Sequence, residues 1–331
     1  MELDDVVVVM EPGKLNGDLI ESADTGIDRV TIRKRSLREI LHQHRLWLEQ
    51  RPGGVRADLS EATLNDLNLS RVDLRMAILR SATFVDANLS GANLSGADLE
   101  GVDLRQASLI GADFSSANLA NAALDFCWLA EADFSEATLH NASFRKANIR
   151  DARMLEATLT RCDFTRAVMK SVALNYAKII ECDFTQADLE GALFYHARIQ
   201  LSRFTAVNGP QANFSSVNAQ NCDFRLAQLA NAKFSKANLA RSAFTRAELM
   251  NCDFREANLG GADLCGATLS NARLGEANLI TTDLRGANLE GARELAPTQL
   301  AQARTAGDTI LPNGSRGPFM KRSGAERPHS R

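Results

Sequence analysis

Three sets of residues in this chain have types that carry chemistry in other proteins. Asp163 and Asp183 stand twenty residues apart, and Arg203 and Asp223 continue the interval. Two carboxylates held together suit general acid–base work, one protonated while the other is charged. The simpler reading of this interval is a solvent-exposed charge ladder in which Arg203 relieves the repulsion. The five histidines, His42, His44, His140, His196 and His329, are too scattered to compose a metal site. Cysteines 127, 162, 182, 222 and 252 occupy positions otherwise held by Ala, where Cys acts as a compact apolar residue; Cys265 alone falls outside that frame and is expected to face outward. The glycines of "SGANLSGADLEG" recur every five residues, a spacing for turns rather than for a phosphate loop. No catalytic site, metal, cofactor or small-molecule substrate is expected.

What positions these residues is a period of five. From Leu59 to Leu289, 47 positions at intervals of five contain 45 that are Leu, Phe, Ile or Met, with Gly209 and Ala219 the exceptions. Two residues before each, from Ala57 to Ala287, 33 of 47 are Ala. A strand would send these residues alternately to opposite faces, and a helix would smear them around its axis. A chain that turns a corner every five residues sends both inward and leaves the other three positions to water. Thirteen of the fifteen Phe are large inward residues, mostly ten or twenty apart.

The segment "ANLSGANLSGADLEGVDLRQASLIGADF", residues 87–114, resembles the pentapeptide-repeat family, A-(D/N)-L-x-x in tandem. The resemblance covers residues 57–293 and implies an all-β solenoid: a right-handed, four-sided β-helix with twenty residues per coil. About twelve coils follow, a rod of ~55 Å at the interstrand spacing. On four sides, Phe144, Phe164, Phe184, Phe204, Phe224 and Phe244 stack on one wall, and Phe194, Phe214, Phe234 and Phe254 on the wall opposite.

Both ends of such a rod need covering. "SLREILHQHRLWLEQ", 36–50, carries Ser36 and Glu39 in capping-box spacing and an apolar face through Leu37, Ile40, Leu41, His44, Trp47 and Leu48. It reads as a helix on the first coil. Residues 294–312, with Pro297 at a helix start and Gly307 past its end, read as the closing segment. Residues 1–35 are expected to be mobile and 313–331 to be a disordered basic tail. "VNGPQ", 207–211, predicts a bulge, since Gly209 lacks a core side chain and Pro210 lacks a donor.

The net charge of −3 gives no global pull toward nucleic acid or an anionic membrane, and no segment approaches the ~18 apolar residues of a membrane span. The acidic N-terminus with a short apolar run argues against a secretory signal, and cysteines without a disulfide framework argue for the cytoplasm. Charge is banded: −9 over 57–139, +7 over 140–247, −3 over 248–293. One apolar cluster stands out among outward positions: Leu155, Tyr176, Leu193 and Tyr195, with His196 beside them, holding both tyrosines of the chain. Phe126 and Trp128 form a smaller one. Exposed aromatic residues on a polar rod suggest a contact with a protein partner or a second copy of the chain. The expected function is therefore a non-catalytic interaction scaffold. The family resemblance supplies the alternative, a mimic of duplex DNA that occupies gyrase and protects it from quinolones. The basic middle band interrupts the acidic face that this alternative needs.

Overall fold

The computed structural model describes residues 27–328. Its repeating unit follows from where each backbone amide finds an acceptor. Around Leu59, the Leu59 N–H donates to the Ile78 carbonyl at 2.8 Å, Glu61 N–H to Arg80 at 2.8 Å, and Ile78 N–H back to Ala57 at 2.9 Å. Ala62 N–H closes a turn onto the Leu59 carbonyl at 3.1 Å. The Ser60 amide is the one left over, and it donates to Asp58 Oδ1 at 3.1 Å. The same bond recurs from Ser70 to Asn68, Ser95 to Asn93 and Thr165 to Asp163. In the unit of Asn93, for example, all five amides, from Ala92 to Gly96, are paired. That is why Asp or Asn so often precedes the large apolar residue.

The turn sets the corner. Its third residue has φ near +60° at every fifth position, from Glu61 (φ 62) to Gly291 (φ 71), as a type II turn requires. The glycines at 91, 96 and 101 occupy these corners. Between corners, each residue preceding the large one pairs in parallel with its counterpart twenty residues on, as in Asp58↔Ile78, Ile78↔Asp98 and Asp98↔Asn118. On the same wall the bridges lengthen into four parallel strands, β3 (Thr138–His140), β4 (Thr158–Thr160), β5 (Lys178–Ile180) and β6 (Arg198–Gln200), each in register with the next.

The inward residues fill the lumen. Phenylalanines twenty apart stack nearly parallel, as in Phe184–Phe204 at 4.7 Å and Phe194–Phe214 at 4.6 Å. Those ten apart meet edge to face across the lumen, as in Phe204–Phe214 at 5.8 Å and 90°. Both geometries suit the ring quadrupole. Polar residues at the small inward position donate to carbonyls of the preceding coil: Ser242 Oγ to Ala219 and Thr282 Oγ1 to Leu259, both at 2.8 Å.

At the N-terminal end, a 3₁₀ turn (Ile27–Arg29) and a short antiparallel hairpin, β1 (Thr31–Ile32) with β2 (Arg35–Ser36), lead into α1 (Leu37–Leu48). Ser36 Oγ accepts the Glu39 amide at 3.2 Å, and Leu37 and Ile40 join the core. Of the segment expected to be mobile, residues 27–35 are thus folded, with Ile27, Val30 and Ile32 against the core. Residues 1–26 lie outside the described residues. At the other end, α2 (Pro297–Gln302) buries Leu300. Its Gln299 Nε2 donates to the carbonyls of Leu274 and Ala277 at 2.8 Å. The helix stops well before Gly307 because Arg304 rejoins the ladder, donating its N–H to the Thr282 carbonyl at 2.8 Å.

Two expectations need correction. Residues 313–328 are not a disordered tail: Asn313 N–H donates to the Ala325 carbonyl, Phe319 N–H to Thr305 Oγ1, and Ala325 is buried. Residues 329–331 of that tail lie outside the described residues. Nor does "VNGPQ" bulge. Gly209 and Gln211 donate to Gln228 and Ala230 at 2.8 and 2.9 Å, so the ladder is continuous. Pro210 takes the second position of the turn, where Pro is favoured and the ladder asks for no N–H. Leu229 reaches in to where a Cβ on Gly209 would lie, 3.0 Å from it.

Two predictions follow from this architecture. Phe204→Ala should cost about 3–5 kcal/mol of stability. Phe126→Gly, at a corner with φ 61, should change stability by less than about 1 kcal/mol, since relief of the left-handed backbone offsets the entropy of glycine. Denaturant unfolding of the two variants reads both. His44 is fully buried and its Nδ1 accepts the Ala57 amide at 3.0 Å. Burial lowers its pKa below 6.5 despite the pull of Asp73. The unfolded chain therefore binds the proton first, and the stabilisation present above pH 6.5 is lost as pH falls below it. The hydrogen-exchange protection factor of the Ala57 amide should fall below that pH in the wild type and stay level in His44→Gln.

Candidate binding surface

The carboxylates and thiols singled out by type are structural. Asp163 and Asp183 accept the amides of Thr165 and Thr185 at 2.9 Å, and Arg203 Nη1 lies 3.1 Å from Asp183. The interval of twenty is the coil, and these side chains serve the turn. Asn238, Asn258 and Asn278 form an amide ladder, each Nδ2 donating to the preceding Oδ1 at 3.1 and 2.9 Å. The six cysteines are free, five of them buried. Burial pushes the Cys127 and Cys252 thiols up to about 12 and that of Cys222 to about 11. Cys162 is raised well above the usual range by the Cys182 thiol beside it and by burial. Cys265 does face outward, half-buried, and desolvation together with Asp263 and Asp283 pushes it to about 12. None of these five is a thiolate at neutral pH. Among the described residues no three His, Cys, Asp or Glu side chains are grouped to hold a metal ion.

The outward apolar cluster is a structural unit. Tyr176 and His196 occupy corners one coil apart, with φ of 62 and 58. Their rings stack at 5.4 Å and 16°. Tyr195 turns its edge to both, 4.1 Å from His196 and 6.2 Å from Tyr176. Tyr176 remains 57% exposed, Tyr195 39% and Leu193 38%. Leu193 takes the position where Asp or Asn would hold the next amide. The Tyr195 amide is held instead by Asn175 Oδ1 of the preceding coil, at 3.1 Å. Leu155 lies on the same wall one coil before Asn175, half-buried and outside the three-ring contact. Phe126 and Trp128 are 51% and 57% exposed, with Lys146 Nζ 5.2 Å from the Phe126 ring.

A groove of about 600 Å³ runs beside these rings. Tyr176 and His196 line one side, Lys178 of β5 and Arg198 of β6 the other, with Glu156 at one end and Asn218 at the other. The two cations face each other directly in the strand register. The sequence reading passed over them, although the interval of twenty that located the Asp ladder applies equally to residues 178 and 198.

Models of known families match most of the chain. Pentapeptide repeats in eight-copy form match residues 55–91, 87–124, 117–154, 127–166, 154–191, 247–286 and 266–293, and the pentapeptide repeat region matches 177–254. Nothing matches among curated proteins. Among solved structures, the chain is similar to HetL, a pentapeptide repeat protein involved in heterocyst differentiation regulation from the cyanobacterium Nostoc sp. strain PCC 7120. The identity is 24%, over 82% of this chain and 96% of that one, with a TM-score of 0.31. It is also similar to QnrB1, a plasmid-mediated fluoroquinolone resistance protein, at 19% identity over 54% of this chain and 81% of that one, TM-score 0.29. A pentapeptide repeat protein from the Arabidopsis thaliana thylakoid lumen is 39% identical over 33% of this chain and 66% of that one, TM-score 0.22. With its five-residue units matched from residue 55 to residue 293, the chain belongs to the pentapeptide repeat family, whose fold is the right-handed quadrilateral β-helix.

Proposed function

We propose that this protein is a non-catalytic interaction scaffold: a rod closed by α1 and α2 at its ends, which binds a protein partner through one outer wall. The observation that carries this reading is the exposed cluster of Tyr176, Tyr195 and His196, flanked by Leu193 and Leu155 and bordered by the groove. Amphipathic rings that are already packed against one another lose little freedom on binding, which makes them efficient anchors. The lumen cannot serve, because stacked phenyl rings fill it. Six free thiols suit a reducing compartment, and we place the protein in the cytoplasm.

The test compares affinity capture from the native host by wild type and by Tyr176→Glu/Tyr195→Glu, with light scattering to read self-association. A partner held by wild type and lost by the variant supports the reading, and a dimer lost by the variant makes a second copy that partner. Identical partners and identical mass for both proteins would remove the cluster from consideration.

A further inference from the structure

Lys178 and Arg198 are directly opposed like charges on neighbouring strands, an arrangement that destabilises a sheet. Elsewhere in the rod such couples are relieved. Asp163–Asp183 has Arg145 and Arg203, Asp113–Asp133 has Arg153, Asp263–Asp283 has Arg285, and Arg273–Arg293 has Glu294. Among the described residues neither Lys178 nor Arg198 has an acidic partner. Their neighbour Glu181 is already taken, by Arg161 at 2.7 Å. The groove thus sets two cations, neither paired with an acid, against one lining carboxylate, Glu156 at its end, and beside an aromatic ridge, and its complement is a segment with carboxylates beside apolar side chains.

The chain contains one. Residues 1–26 hold seven acidic residues against a single Lys, and Asp4 and Asp5 lead directly into the apolar run Val6 to Met10. We propose that this acidic–apolar N-terminal segment docks in cis into the groove between Tyr176/His196 and Lys178/Arg198. The proposal rests on reading the groove as a binding surface.

Reach supports it. Arg33 of the N-terminal hairpin pairs with Asp58. Asp58 stands at the foot of the column of bridges that climbs through Ile78, Asp98, Asn118, Thr138 and Thr158 to Lys178. Six interstrand steps put Lys178 about 29 Å up the wall from Asp58. Asp5 and Ile27 are 22 residues apart, and a chain of that length can extend to about 73–79 Å, more than the distance to be bridged.

The experiment is zero-length carbodiimide coupling of the full-length protein at low salt, using an equal mixture of isotopically heavy and light chains, with the joined peptides read by mass spectrometry. Lys170 and Glu190, whose side chains lie 2.7 Å apart, are the internal standard. The expected result is joining of Lys178 to Asp4 or Asp5 within one chain. That product should fall by roughly an order of magnitude in Arg198→Glu or at about 0.5 M salt while the Lys170–Glu190 product persists. Lys178 joined only to Glu156 or Glu181 would overturn the proposal. So would N-terminal carboxylates joined equally to Lys146, Lys170, Lys233 and Lys236, which would show diffuse attraction to the basic band. Heavy-to-light products in place of the single-chain product would make the occupant a second copy and overturn docking in cis. None of these outcomes alters the partner capture that tests the scaffold reading, so the two can fail separately.

Discussion

The constraint on which the rest of this structure depends is a left-handed backbone at every fifth residue. A side chain other than Gly pays about 1–2 kcal/mol to sit there, and the chain accepts that cost at Glu61, Asp66, Arg71 and on through Thr281. Glycine relieves it at only some corners. What offsets the strain is the residue two places before each corner. Burying one Leu or Phe side chain contributes roughly 1.5–3 kcal/mol, and the chain can send such a residue inward at every unit only if it turns a corner in between. Burial is of the same order as the corner strain or larger in most units, and the corners at Gln211 and Asn221, which follow Gly209 and Ala219, rely on their neighbours.

The corner also fixes the chemistry available to the protein. Turning after the large residue takes one amide out of ladder register, and the Asx side chain before that residue retrieves it. Many of the carboxylates whose type suggested acid–base work are therefore committed to the backbone, as Asp163 and Asp183 are. Inside, the small position and the large position close the lumen, and a thiol or hydroxyl placed there spends its hydrogen on a carbonyl, as Cys127 does on Leu104 and Ser242 on Ala219. Recognition is left to the outer walls, where three residues of each unit face water.

Legibility in the sequence follows the same division. The inward positions, the opposed columns of phenylalanine and the helix after Ser36 could be read because each obeys a period or a local capping rule. The bulge predicted at Gly209–Pro210 came from treating Pro as a lost donor, without asking whether its place in the unit ever uses one. Residues 313–328 were misjudged because what orders them is non-local: the Phe319 amide reaches Thr305 Oγ1 and the Asn313 amide reaches the Ala325 carbonyl, and no periodicity announces that. At the candidate surface, the aromatic cluster was visible as a break in polarity. The opposition of Lys178 to Arg198 was written in the interval of twenty, but only strand pairing gives it an energetic meaning.

The corners explain why the surface cluster is informative. An outward side chain at a corner adds nothing to the core and strains the backbone beneath it. Among the described residues, the corners that carry bulky rings in that conformation are Phe126, Tyr176 and His196, and the last two stack on each other. Leu193 compounds the expense by displacing the residue that would hold the Tyr195 amide, which Asn175 then has to supply. Folding alone would favour Gly, Asn or Asp at those corners and Asp or Asn at position 193. An arrangement that costs stability at several neighbouring positions, and that leaves its rings in water beside two unrelieved cations, is the ground on which we propose contact with another surface.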